Sequence, residues 1–184
     1  ILTAPGALYP ILCIENDAER ERLFNIFWEI GTRHQASFKN TILPLYSSQG
    51  IWPESLSYSF MTNVPMILNI IDRIKPELNV IVENKHILEG SFIFPNLRNP
   101  NKTFVRYGDS KRNKSNTAEY YRFIMHMANR RGLLDLKYQA EVVLKQQYNE
   151  MGGYVPQLTK TVHDYNTPLE LFWGMQIPDS ITGK

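Results

Sequence analysis

Two clusters in this 184-residue chain combine residue types that can do chemistry. The first is Gln49-Gly50-Ile51-Trp52-Pro53-Glu54-Ser55-Leu56-Ser57-Tyr58, which turns from a loop into a helix. Trp52 beside Pro53 makes a rigid aromatic wall. Glu54 and Ser55 stand at the expected helix start, where a carboxylate and a hydroxyl satisfy free N–H groups, so capping explains them as well as ligand contact does. Tyr58, one turn on, carries a hydroxyl that needs a partner if buried. A tyrosine serves as a base near neutral pH only if neighbouring positive charge pulls its pKa down from about 10.

The second cluster is Phe104-Val105-Arg106-Tyr107-Gly108-Asp109-Ser110-Lys111-Arg112. Gly108-Asp109-Ser110 reads equally as a simple turn and as part of a binding loop. Charge favours binding. Residues 95 to 116 hold Arg98, Lys102, Arg106, Lys111, Arg112 and Lys114 against Asp109 alone, a net +5 in a chain whose total is +2. Arg106, Lys111 and Arg112 are therefore the candidate cations for an anionic ligand or for the phenol of Tyr58.

Composition narrows the field further. Lys plus Arg number 20 against 18 acids, too even a balance for a nucleic-acid binder. One cysteine and four scattered histidines give no cluster at metal-ligand spacing, so neither a metal nor another cofactor is expected. Cys13, inside the apolar run Ala7 to Ile14, is expected to be a buried packing residue. His34 reads as a solvated residue at a helix end, His126 as a core or rim residue on an aromatic helix, and His86 and His163 lack partners at motif spacing. No apolar stretch reaches the roughly 18 residues of a membrane span, and the chain, starting at Ile1 in mid-pattern, reads as a segment of something longer.

These residues need elements to hold them. Hydrophobic spacing predicts helices over 7–15, with Pro10 near the first turn, and from Asn16 or Asp17 to Gly31, with Leu23, Phe24, Phe27 and Trp28 on one face. A packed loop follows over 40–53. A helix over 55–74 should kink near Met61 to Asn63 because Pro65 removes a donor, and another should cover 78–92. After the 95–116 loop, helices from Asn116 or Thr117 to Gly132 and from Leu134 to Asn149 should pair, and a short one should open at Thr167-Pro168. Successive helices without alternating strands indicate an all-α array of antiparallel hairpins, forming one domain or part of one across residues 1–184.

The pattern Gly50-x-Trp52-x-Glu54-Ser55-x-x-Tyr58, followed by Tyr107-Gly108-Asp109-Ser110 and the terminal Thr167-Pro168-Leu169-Glu170-Leu171-Phe172-Trp173, resembles the helical domain of the heparinase II/III-like polysaccharide lyases and their alginate-lyase relatives. The resemblance implies an incomplete α/α toroid joined to a β-sandwich domain of the same parent chain, that domain lying outside this segment. It implies cleavage of a uronate-containing acidic polysaccharide by β-elimination, with Tyr58 in proton transfer, and a periplasmic or secreted location. The family's Asn or His pair that neutralises the uronate has no counterpart in Ile1 to Gly6. Its sheet-borne His also belongs to the missing domain, so the segment alone is expected to be inactive.

The leading expectation is thus a lyase domain with Tyr58 as catalytic residue and Trp52, Glu54, Arg106, Asp109, Lys111 and Arg112 as substrate contacts. A glycoside hydrolase on the same toroid is the alternative, needing two carboxylates about 5–10 Å apart, for which Glu54 and Asp109 are the candidates. A non-catalytic helical module binding glycan or protein through the basic loop is the third reading.

Overall fold

An Asn at position 16 sets the start of the clearest helix. Its side-chain oxygen accepts the backbone N–H of Glu19 at 3.0 Å, satisfying a donor that the first helical turn leaves open. The structure, a computed structural model of the chain, describes residues 4–54, 64–101, 103, 105–106, 108 and 118–151. Among these residues every regular element is helical, with no strand or sheet, in agreement with the all-α expectation. The chain divides into two compact units, residues 1–91 with 105–112 and residues 92–104 with 113–184.

In the first unit, α1 spans Ala4–Leu12 and α2 spans Asp17–Asn25. The last turn of α2 widens into a π-helical turn, Ile26–Ile30, closed by the N–H of Gly31 on the carbonyl of Ile26 at 2.7 Å. Gly31 has φ +79, and a Cβ there would lie 2.8 Å from the backbone nitrogen of Ser37, so only glycine ends the helix this way. The chain returns through a second π turn, Phe38–Ile42, which brings Phe38 onto Phe27 at 5.5 Å and Trp28 at 5.9 Å between ring centroids. Burying each such ring is worth roughly 1.5–3 kcal/mol.

Helix α3, Val64–Ile74, carries Ile67, Leu68 and Ile71 on its inner face, each almost wholly buried. Just past its end, Lys75 pairs with Glu21 at 2.7 Å and sits 5.0 Å over the ring of Phe24, tying α3 to α2. Two short helices follow, α4 (Val80–Glu83) and α5 (Lys85–Gly90). The second unit is a helical hairpin, α6 (Ala118–Arg130) and α7 (Leu134–Met151), turned by Gly132 at φ +68. Tyr121, Ile124, Met127 and Ala128 of α6 and Leu136, Ala140, Leu144 and Tyr148 of α7 form the buried faces. Their i, i+3, i+4 spacing is the one the sequence pattern shows.

Several sequence expectations shift. Helix α1 starts at Ala4, so Pro10 lies inside its last turns rather than in its first. Cys13 is exposed, because α1 ends at Leu12 and the cysteine falls in the closing turn. The 40–53 stretch contains a π turn and the 3-10 turn Leu43–Leu45 rather than loop alone. The helix expected over 78–92 is broken at Asn84, whose side-chain amide donates to the carbonyl of Val80 at 2.8 Å and whose backbone leaves the helical region. The kink expected near Met61 to Asn63 and the short helix at Thr167-Pro168 lie outside the described residues.

Candidate functional site

The Gly50 to Glu54 arm is built from the backbone outward. The N–H of Ser47 donates to the carbonyl of Ile51 at 3.0 Å, that of Gly50 to the carbonyl of Ser47 at 2.8 Å, and that of Ile51 to the Ser47 hydroxyl at 3.1 Å. Three bonds within five residues close a tight loop. Gly50 has φ +74, and a Cβ on it would fall 1.8 Å from the carbonyl oxygen of His86. From the other side, a Cβ on Gly90 would fall 2.4 Å from the carbonyl oxygen of Gln49 and 2.5 Å from that of Gly50. Loop and α5 therefore meet backbone to backbone, at a distance that no side chain permits.

Trp52 leaves this clamp with 5% of its surface exposed and its ring 5.1 Å from that of Tyr46. Its indole N–H donates to Oε2 of Glu54 at 3.3 Å. Glu54 itself is exposed. An acceptor-only carboxylate, held by a buried donor at the end of a fixed loop, is thus presented to solvent.

The other expected site residues are distributed unevenly. Arg106 is exposed in the first unit, the same unit as Trp52 and Glu54. Tyr58, Asp109, Lys111 and Arg112 lie outside the described residues. Arg98, counted in the basic loop, is engaged within the second unit: it pairs with Glu150 at 3.2 Å with 14% of its side chain exposed. Its charge also acts on Tyr121, whose phenol burial pushes well above the ordinary tyrosine value while the guanidinium pulls the other way. Burial likewise raises the phenol of Tyr9.

Three of the four histidines differ in their surroundings or lie outside the described residues. His34 is exposed in the turn after Gly31, its backbone N–H donating to the Thr32 hydroxyl at 3.2 Å. It lines a cavity of about 140 Å³ with Phe27, Phe38 and Ile42. His126 is partly buried on α6, and His163 lies outside the described residues. Among the described residues no group of His, Cys, Asp and Glu could hold a metal ion, and no helix is long and apolar enough to cross a membrane. One residue escaped sequence reasoning: Gly90. A lone glycine in a helical pattern is a weak sign of close packing, and nothing local marks Gly50 as its partner 40 positions earlier.

Comparison with known proteins is decisive on the class. The family described as endo-acting ulvan lyase 2nd domain matches residues 48–184, a range that opens just before the Gly50 arm and takes in both loop clusters and the hairpin. An endo-acting ulvan lyase from Formosa agariphila is 55% identical over 184 residues, which is 100% of this chain and 22% of the relative. The chain thus spans about a fifth of the length of the curated relative it matches. No solved structure matches. The matches define a polysaccharide lyase domain. The chain belongs to the family of endo-acting ulvan lyase second domains.

Proposed function

We propose that this chain is the helical domain of a secreted or periplasmic lyase that cleaves an acidic, uronate-containing polysaccharide by β-elimination at internal positions. The observation that carries the reading is the 55% identity to an endo-acting ulvan lyase along the full length of the chain. The motif Gly50-x-Trp52-x-Glu54-Ser55-x-x-Tyr58 supports it, as does the helical architecture. The finer placement, an incomplete α/α toroid of the heparinase II/III-like kind whose cleft a β-sandwich domain of the same parent completes, belongs to the same proposal.

The chemistry assigns the roles. A base removes the proton α to the uronate carboxylate, the electron pair forms a carbon–carbon double bond, and the β carbon–oxygen bond to the next sugar breaks as that oxygen takes a proton. Tyr58 is the proton-transfer residue. Charge builds on the carboxylate in the transition state, so cations must lie beside it, the part given to Arg106, Lys111 and Arg112. Glu54 and Asp109 contact the sugar, and Trp52, 5% exposed, stands behind Glu54 rather than stacking on the ring as its type suggested. The lyase relative favours elimination over hydrolysis, and no cofactor takes part in this scheme.

The test uses the whole parent protein with an acidic polysaccharide. Elimination produces an unsaturated uronate that raises ultraviolet absorbance, and Tyr58→Phe should lower the rate by about 10²–10⁴-fold with folding unchanged. New reducing ends without that absorbance, or full activity in Tyr58→Phe, would overturn the assignment.

A further inference from the structure

We infer that Trp52 is a positioning residue acting through Glu54, and that Glu54 is a specificity determinant reading the neutral hydroxyl edge of a bound saccharide. The inference rests on the saccharide-binding part of the function proposed above.

Burial decides what Trp52 has to offer. With 5% of its surface exposed and its ring against Tyr46, the group it projects toward Glu54 is the indole N–H, 3.3 Å from Oε2. A free glutamate side chain loses much rotamer freedom when a ligand fixes it. Here the loss is partly taken before binding, because the clamped loop fixes the tryptophan and the tryptophan orients the acid. One carboxylate oxygen is engaged, and the other, Oε1, belongs to an exposed residue and is a pure acceptor.

Charge then selects what can bind there. An ionised carboxylate accepts hydrogen bonds from hydroxyls and repels carboxylates or other anionic substituents, so on an acidic polysaccharide it discriminates between the two edges of a sugar. Glu54 orients the chain by excluding acidic groups from its side. Arg106, exposed on the same unit, has the opposite preference.

The experiment is a double-mutant cycle on the whole parent enzyme with Trp52→Phe and Glu54→Ala, reading kcat and KM separately. Glu54→Ala should raise KM about 10- to 150-fold with kcat nearly unchanged, the scale of one lost charge-assisted hydrogen bond. Trp52→Phe should raise KM about 3-fold alone and leave it unchanged in the Glu54→Ala background. Multiplying effects, or a fall in kcat at constant KM, would overturn the positioning role. Labelling with 5-fluorotryptophan gives a readout that does not depend on turnover. The Trp52 fluorine resonance, assigned by its loss in Trp52→Phe or, where that variant does not fold, in Trp52→Tyr, should shift in Glu54→Ala; a resonance indifferent to Glu54 refutes the pairing. A wild-type parent that cleaves no acidic polysaccharide would instead end the elimination reading, and the fluorine comparison would still decide whether Trp52 orients Glu54.

Discussion

Replacing Gly90 by alanine should destabilise the chain, and the sign of the effect is the test. Gly90 is the last residue of α5 and does not require a positive φ, so by helix propensity alone alanine would be better by up to about 1 kcal/mol. The structure opposes this, because the new Cβ would lie 2.4 Å from the carbonyl oxygen of Gln49 and 2.5 Å from that of Gly50. Both obstacles are backbone, in a loop already closed by its own hydrogen bonds, so neither yields as a flexible side chain would. Overpacking of this kind costs about 1–3 kcal/mol. The net expectation is a loss of about 1–2 kcal/mol, with the melting temperature falling by roughly 2–4 °C for each kcal/mol in a chain of this size. Urea or thermal unfolding followed by circular dichroism measures it. Gly6→Ala is the internal control: it is helical, has nothing within 4 Å, and should gain up to about 1 kcal/mol. A Gly90→Ala variant that melts higher than the parent sequence would refute the backbone contact and, with it, the account of how the Trp52 arm is held.

Two further outcomes follow from single residues. Asn16→Ala removes the acceptor for the Glu19 N–H and should cost about 1 kcal/mol, seen as a lower urea midpoint, while Asn16→Asp should retain most of the stability. Tyr121 has a phenol whose folded pKa burial raises, so its stabilising contribution is complete below the unfolded value near 10 and declines as pH rises beyond it, where the unfolded chain gives up a proton the native chain keeps. Urea midpoints measured from pH 9 to 11 should therefore fall less steeply in Tyr121→Phe than in the wild type; equal slopes would contradict the buried, protonated phenol.

Periodicity made the α6–α7 hairpin legible because Tyr121, Ile124, Met127 and Ala128 repeat on one face with Arg130 and Gly132 at the end. The same reasoning failed at Asn84, where a side-chain amide competes for a helix carbonyl and splits an apolar stretch that reads as continuous. It also failed at the π turns, which close i to i+5 bonds that leave the hydrophobic spacing almost unaltered. At the candidate site the motif residues could be named from their types, but not the reason the arm is rigid, since Gly50 meets His86 and Gly90 across the fold. Charge in the sequence was a poorer guide to charge at a surface. Arg98 counts toward the +5 of the loop, yet Glu150, 52 positions away, engages it.

That last difference bears on how an acidic polymer would be held. A cation paired at 3.2 Å and largely enclosed has already exchanged water for a carboxylate, so recruiting it to a ligand anion would leave Glu150 without its partner. An exposed Arg106 carries no such cost. Glu54 and Arg106 are both exposed groups of the first unit, and under the proposed function their opposite charges would be met by different edges of a sugar. Orientation of the substrate then needs no dense basic surface, only one cation that admits the acidic edge and one fixed carboxylate that rejects it. Raising salt should consequently weaken binding while leaving the penalty for Glu54→Ala largely in place, because hydrogen bonds to neutral hydroxyls are much less screened than contacts between ions.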